Sequence, residues 1–171
     1  MKKFASSIFN IVSIAGAVLM YIFLSQPYFT WEISGGFIEG KLDLSSGYEL
    51  IQNYIDSNDS KSVMVAVSLI ILTIFAAIII LCSLVNLLSN MNVIKNKKIC
   101  KYSNYVNIAS AVLMFIFVAI GFFIMVDMVN TDIDIGMKVA WAAILNLIIA
   151  FAMVVTTILA YKFADNKKKK R

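Results

Sequence analysis

Three asparagines are the residues of this chain whose type and placement could do chemistry. Asn10, Asn86 and Asn107 each lie within a long run that has no charged side chain. A carboxamide offers hydrogen-bond donors and acceptors but does not titrate, so the three could bind a polar, uncharged ligand. They could equally join helices by interhelical hydrogen bonds, which is the commoner role of such residues in membranes. Both interpretations stay open.

The sequence shows no combination of residues that is typical of an enzyme site. There is no histidine, and the two cysteines, Cys82 and Cys100, lie in an apolar run and in a lysine-rich segment. Without a recognisable nucleophile and base, we expect no catalytic site, no metal site and no cofactor. Neither cysteine falls in a segment expected outside the membrane, so a structural disulfide is not predicted.

Acidic residues gather at the end of the third apolar run, at Asp127, Asp132 and Asp134, with Asn130 among them. These oxygens could form a weak calcium site, because hard cations take several oxygen ligands. Their spacing does not match the calcium-loop pattern, however. The simpler interpretation is a solvated acidic segment.

Four apolar runs must position these residues. With 61% hydrophobic residues in a length of 171, the chain is too apolar for an ordinary soluble domain. Each run exceeds the roughly 20 residues that a helix needs to cross the hydrocarbon core. The first is too long for a cleaved signal peptide, and we expect it to be retained.

The predicted fold class is an all-α membrane protein: an antiparallel bundle of four transmembrane helices, with a small β-hairpin and a short helix in the first loop. Residues 1–171 form a single membrane domain in this interpretation. The predicted spans are 4–26, 63–90, 104–127 and 138–162, with an outer loop at 28–61, a cytoplasmic loop at 91–103 and a cytoplasmic tail at 163–171.

The distribution of charge predicts the orientation of these spans. Of the basic residues, only Lys41, Lys61 and Lys138 fall on the side opposite the termini, whereas every acidic residue except Asp165 falls there. By the positive-inside rule, the protein is a multi-pass protein of the plasma membrane with cytoplasmic N and C termini. The net charge of +5 therefore reflects topology, and we expect no nucleic-acid partner. The expected contacts with anionic lipid are Lys167, Lys168, Lys169, Lys170 and Arg171.

The outer loop is too long to be a simple connection. Its β-rich residues on either side of Gly35 and Gly36 predict a hairpin. Ser46 to Glu49 fits a capping box that opens a short amphipathic helix at about 47–56. We expect this helix to lay its apolar residues on the hairpin or on the membrane surface. The candidate partner surface of the loop is Trp31, Phe37, Tyr48, Ile51 and Tyr54.

Two resemblances rest on these residues. Pro27-Tyr28 at the end of the first span, followed by Ser46-Gly47-Tyr48-Glu49-Leu50, resembles many uncharacterised small four-helix membrane proteins of Gram-positive bacteria, over roughly residues 15–55. That resemblance implies a bacterial membrane protein but no particular activity. Four spans with a β-containing first loop also resemble claudins. Trp31 is present, but both cysteines of the claudin loop motif are missing, so this resemblance implies architecture alone.

Two classes of function fit the pattern. The first is a non-enzymatic scaffold or accessory subunit that presents the outer loop to another membrane or extracytoplasmic protein, or to a second copy of the chain. The second is a small transporter, pore or lipid-handling protein for an uncharged substrate, with the three asparagines as its polar site. Coupled transport of ions is not expected, because the spans carry no ionisable residue at their centres.

Overall fold

The computed structural model of the chain describes residues 2–35, 38–131 and 137–165. This part is mostly helical, with four long apolar helices and a small three-stranded sheet. The elements in chain order are α1 (Lys2–Leu24), β1 (Pro27–Gly35), β2 (Ile38–Ser46), α2 (Gly47–Tyr54), α3 (Ser60–Asn90), α4 (Lys97–Thr131), β3 (Met137–Val139) and α5 (Trp141–Asp165).

The four long helices are candidate membrane spans by length and composition. The segments concerned are Lys3–Leu24, Ser60–Asn90, Lys98–Thr131 and Trp141–Ala164. All four helices leave large apolar side chains on the protein surface; Ile11, Phe123 and Phe151, for example, are 53%, 66% and 57% exposed. Apolar surface of this extent suits a hydrocarbon environment and would promote aggregation in water. The four candidate spans therefore indicate a multi-pass membrane protein.

Each long helix departs from its predicted span by a few residues at one end or both, and the starts of α4 and α5 show why. α4 begins at Lys97, well before residue 104, because Asn96 accepts hydrogen bonds at its Oδ1 from the Lys98 and Ile99 amides and so caps the helix. α5 begins at Trp141 rather than at residue 138, because Met137–Val139 is a strand. Charge and hydropathy mark where a helix can cross a membrane, and they do not mark where it ends in water.

The hairpin predicted in the first loop is confirmed. β1 and β2 pair antiparallel from Pro27 opposite Ser46 to Gly35 opposite Ile38, and the hairpin tip at 36–37 lies outside the described residues. β3 pairs with the other edge of β1, with Phe29 opposite Val139, which gives the strand order β2-β1-β3. β3 was not predicted from the sequence, because three residues beside a predicted span carry no periodic signal.

The predicted capping box at the start of α2 is also confirmed. The Glu49 amide donates to Ser46 Oγ at 3.3 Å, and the Ser46 amide donates to Glu49 Oε2 at 2.8 Å. Asp59 caps α3 in a related way: its Oδ2 accepts from the Ser62 amide at 2.9 Å and from Ser62 Oγ at 2.7 Å. These hydrogen bonds, that from the Ser62 hydroxyl first, hold the pKa of Asp59 below its usual range.

By its internal contacts, the chain divides into two compact units. The terminal unit comprises residues 2–19, 74–115 and 149–165. The loop unit comprises 20–35, 38–73, 116–131 and 137–148, and so contains the sheet and α2. α1 and α4 begin in the terminal unit and end in the loop unit, whereas α3 and α5 run the other way.

Candidate functional site

The three asparagines predicted as a polar cluster all lie in the terminal unit, and all are buried. Asn107 of α4 donates from Nδ2 to Ser83 Oγ of α3 at 3.1 Å. Asn86 and Asn90 lie one and two turns after Ser83 on α3. All three share one face of the helix, because residues three, four and seven apart lie on the same side. Polar residues on one face of α3 therefore face more than one neighbouring helix.

The same face of α3 also connects to α1. Asn90 donates from Nδ2 to Ser6 Oγ at 3.2 Å, and the Ser6 hydroxyl in turn donates to the Ala160 carbonyl of α5 at 3.1 Å. Asn10, one turn beyond Ser6, donates from Nδ2 to the Ser6 carbonyl at 2.9 Å. These contacts join α1, α3 and α5, and the pattern is that of polar residues holding apolar helices together.

Asn86 is the exception within this network. It is 4% exposed, and neither its Oδ1 nor its Nδ2 has a hydrogen-bond partner among the described residues. The Oδ1 atoms of Asn10 and Asn107 are likewise without a described partner. A buried amide left in this condition costs about 1–3 kcal/mol. The terminal unit thus has spare donors and acceptors for a small neutral group, with no ionisable side chain among them.

A second buried polar pair lies in the loop unit. Tyr28 of β1 and Asn146 of α5 are each 1% exposed, and the Asn146 Nδ2 donates to the Tyr28 hydroxyl. Burial raises the pKa of Tyr28 well above its usual range, against the opposing effect of the Asn146 hydrogen bond. The Tyr28 carbonyl also accepts from the Ala140 amide at 2.8 Å. Tyr28 therefore joins the sheet to α5 through both its backbone and its side chain.

This pair lines a cavity of about 10 Å³. Its other walls are mostly apolar, with Ser68 as a further polar residue and Leu69 and Phe122 among the rest. The Asn146 Oδ1 has no described hydrogen-bond partner, while Ser68 Oγ donates to the Val65 carbonyl at 2.7 Å. A volume of about 10–15 Å³ holds one water molecule. The cavity is suited to a single bridging water and is too small for an organic substrate.

The Tyr28–Asn146 pair was not predicted from the sequence. Asn146 was recognisable as a polar residue in an apolar run, and Tyr28 as an aromatic residue at the end of a span. Their pairing joins residues 118 apart in the chain, and no local pattern indicates it.

The predicted partner surface is described in part. Tyr48 is 43% exposed, while Ile51 and Tyr54 are half-buried. Burial raises the pKa of Tyr54, and the nearby Asp59 carboxylate adds to that effect. Trp31 lies in β1, where its backbone is opposite Leu42 and Met137. Phe37 lies outside the described residues, as do the predicted lipid contacts from Lys167 to Arg171.

The structure describes only some of the candidate calcium ligands. Asp127 pairs with Lys61 at 2.7 Å, and both side chains are about half exposed, so the ion pair is worth little. Asp132 and Asp134 are not among the described residues. Within the described ranges, no group of three or more Asp, Glu, His or Cys residues is placed to hold a metal ion.

Comparison of the chain with models of protein families, with curated proteins and with solved structures gives no match.

Proposed function

We propose that the protein is a multi-pass protein of the plasma membrane, with both termini cytoplasmic, that acts as a non-enzymatic scaffold or accessory subunit. The four apolar helices would form an antiparallel bundle in the membrane. The sheet and α2 would be presented outside the cell to another membrane or extracytoplasmic protein, or to a second copy of the chain.

One observation carries this proposal: segments from two different loops form a single sheet. β1 is the central strand, and its partners β2 and β3 come from either side of α3 and α4 in the chain. The Tyr28–Asn146 hydrogen bond fastens this sheet to α5. A two-stranded hairpin alone is marginally stable, and a third strand with a buried anchor supports a persistent surface. A surface built in this way suits recognition of a partner.

The buried polar groups also favour a scaffold over an enzyme. Ser6, Ser83 and Asn107 make hydrogen bonds between helices, and the cavity beside Asn146 has room for no more than a single water. These groups hold the helices together and do not form a catalytic arrangement, which suits a scaffold better than an enzyme.

Photo-crosslinking in the native membrane tests the proposal. A photoreactive amino acid would be placed at Glu49 or Asn53, which are exposed on α2, and at Lys98 or Tyr102, which are exposed near the start of α4. We expect discrete protein adducts from the α2 positions and none from the α4 positions. Adducts that form only from positions 98 and 102 would contradict an extracytoplasmic working surface.

The alternative of a small transporter or pore for an uncharged substrate rests on Asn86, which is buried with both amide atoms lacking a described partner. Glycerol uptake into vesicles that contain the purified protein tests it. Uptake that is lost in an Asn86→Leu variant, and retained in an Ile148→Leu control on the exposed side of α5, would favour this alternative.

A further inference from the structure

α2 buries only one side against the rest of the protein. Gly47 and Leu50 are buried, and Tyr54, on the same side, is half-buried. A Cβ added at Gly47 would lie 2.9 Å from Leu24 Cδ2 and 2.9 Å from Tyr28 Cε2. The absence of a side chain at Gly47 thus lets the start of α2 sit directly on the end of α1.

The apolar part of α2 extends beyond this buried side. Tyr48 and Ile55 are 43% and 40% exposed, and Ile51 is half-buried. With 3.6 residues per turn, these three residues lie within an arc of about 60°, next to the side formed by Gly47, Leu50 and Tyr54. The exposed polar residues of the helix occupy the opposite arc: Glu49, Gln52 and Asn53. The protein therefore covers one side of α2 and leaves part of its apolar surface, at Tyr48, Ile51 and Ile55, exposed.

The position of α2 indicates what covers the remainder. Leu24, which Gly47 contacts, is the last residue of the first candidate span. After Ile55 the chain reaches Ser60, the first residue of the second candidate span, within five residues. Both ends of α2 are consequently held at the ends of helices that are apolar enough to cross a membrane. That level corresponds to the lipid headgroups, where amphipathic helices lie in the plane of the membrane and tyrosine is enriched.

We propose that Tyr48, Ile51 and Ile55 insert into the headgroup region of the outer leaflet, with Gln52 and Asp56 turned toward water. The inference rests on the membrane placement given under the proposed function. Tyr48 and Ile51, which were predicted to belong to the partner surface, then contact lipid. The sheet and the polar side of α2, which includes Glu49 and Asn53, are then the parts of the loop unit left to receive a protein.

Spin-label accessibility in lipid vesicles tests this assignment. Single cysteines would be introduced at Tyr48, Ile55, Gln52 and Ile148, on a background of Cys82→Ser and Cys100→Ser, and labelled with a nitroxide. The full-length protein would be reconstituted in phosphatidylglycerol and phosphatidylethanolamine vesicles. Collision of each label with oxygen, which partitions into lipid, would be compared with collision with a water-soluble nickel chelate. Position 52 serves as the polar control on the same helix, and position 148, which is 56% exposed on α5, as the lipid reference.

We expect the ratio of oxygen to nickel collisions to be severalfold higher at positions 48 and 55 than at position 52, and highest at 148. Equal ratios at 48, 55 and 52, with a high ratio at 148, would overturn the lipid contact and leave the membrane placement intact. Spectral broadening at 48 and 55 that disappears on dilution with unlabelled protein would instead identify a second copy as the occupant. A low ratio at 148 would overturn the membrane placement itself. Positions 48 and 55 give independent answers, so one poorly folded variant does not prevent the test.

Discussion

Tyr28 joins the three-stranded sheet to α5. Its carbonyl accepts from Ala140, and its hydroxyl accepts from Asn146 in a site where both side chains are almost fully buried. A hydrogen bond within such a site has a modest net value, but the loss of one partner leaves the other buried and unpaired. The pair should therefore behave as a unit when either member is changed.

We predict that Tyr28→Phe and Asn146→Leu each lower the free energy of unfolding by about 1–3 kcal/mol, because each disrupts this buried pair. The double variant should lose less than the sum of the two. Thermal unfolding of the purified protein in mild detergent measures all four members of the cycle. Strictly additive losses would show that the pair has no coupling.

The same residue predicts a loss of stability at alkaline pH. Burial raises the pKa of Tyr28 in the folded state, so the folded protein keeps the phenolic proton where the unfolded chain, with a pKa of about 10, releases it. This contribution is fully present below about pH 10 and is lost as the pH rises further toward the folded-state value. Between neutral and strongly alkaline pH, the free energy of unfolding should fall more steeply in the wild type than in Tyr28→Phe. Parallel curves would contradict the assignment.

At the scale of elements, the close approach of α3 and α4 in the loop unit depends on Gly121. A Cβ added there would collide with Ser68 Oγ and lie 2.8 Å from Ser68 Cβ, so Ser68 or the helix that carries it would have to shift. Gly16 of α1 offers a matched comparison, because its added Cβ would lie 3.1 Å from Cγ of the flexible Met153 side chain.

Gly121→Ala should therefore cost about 1–3 kcal/mol of stability, as overpacking does in well-packed interiors. Gly16→Ala should be close to neutral, since Met153 can adjust. Adding Ser68→Ala to Gly121→Ala removes the hydroxyl but keeps Ser68 Cβ, so a partial recovery is expected. Thermal unfolding of these three variants and of the wild type is the measurement. A larger loss from Gly16→Ala than from Gly121→Ala would count against this account.

The sequence predicted those elements whose cause is local. Four uninterrupted apolar runs gave the long helices, and Ser46 with Glu49 gave the start of α2. β3 and the Tyr28–Asn146 pair were not predicted, because both depend on residues more than 100 positions apart that meet only in the folded chain. The sequence predicted that α2 is amphipathic but not which of its residues the protein buries. The structure buries Gly47 and Leu50 and leaves Tyr48 exposed.

For the whole molecule, the positive-inside rule predicts that α2 and the segment between α3 and α4 lie on opposite sides of the membrane. Gln52 on α2 and Val93 between the helices are both exposed, and each can be replaced singly by cysteine on a background of Cys82→Ser and Cys100→Ser. A membrane-impermeant maleimide applied to intact cells should label position 52 and not position 93. After permeabilisation both should react. The reverse pattern in intact cells would invert the orientation.

The pairing of β3 with β1 has a consequence for the order in which the protein is made. The ribosome releases β1 and β2 early, whereas Val139 and Asn146, which pair with Phe29 and Tyr28, emerge more than 100 residues later. Until then, one edge of β1 is open and the Tyr28 hydroxyl lacks its carboxamide partner. An open strand edge invites wrong pairing. With the orientation proposed above, the nascent chain passes through an interval outside the cell in which this strand edge is unpaired, and the interval ends with insertion of the last helix. In that interval, an extracytoplasmic chaperone or a neighbouring chain would have access to the open edge of β1.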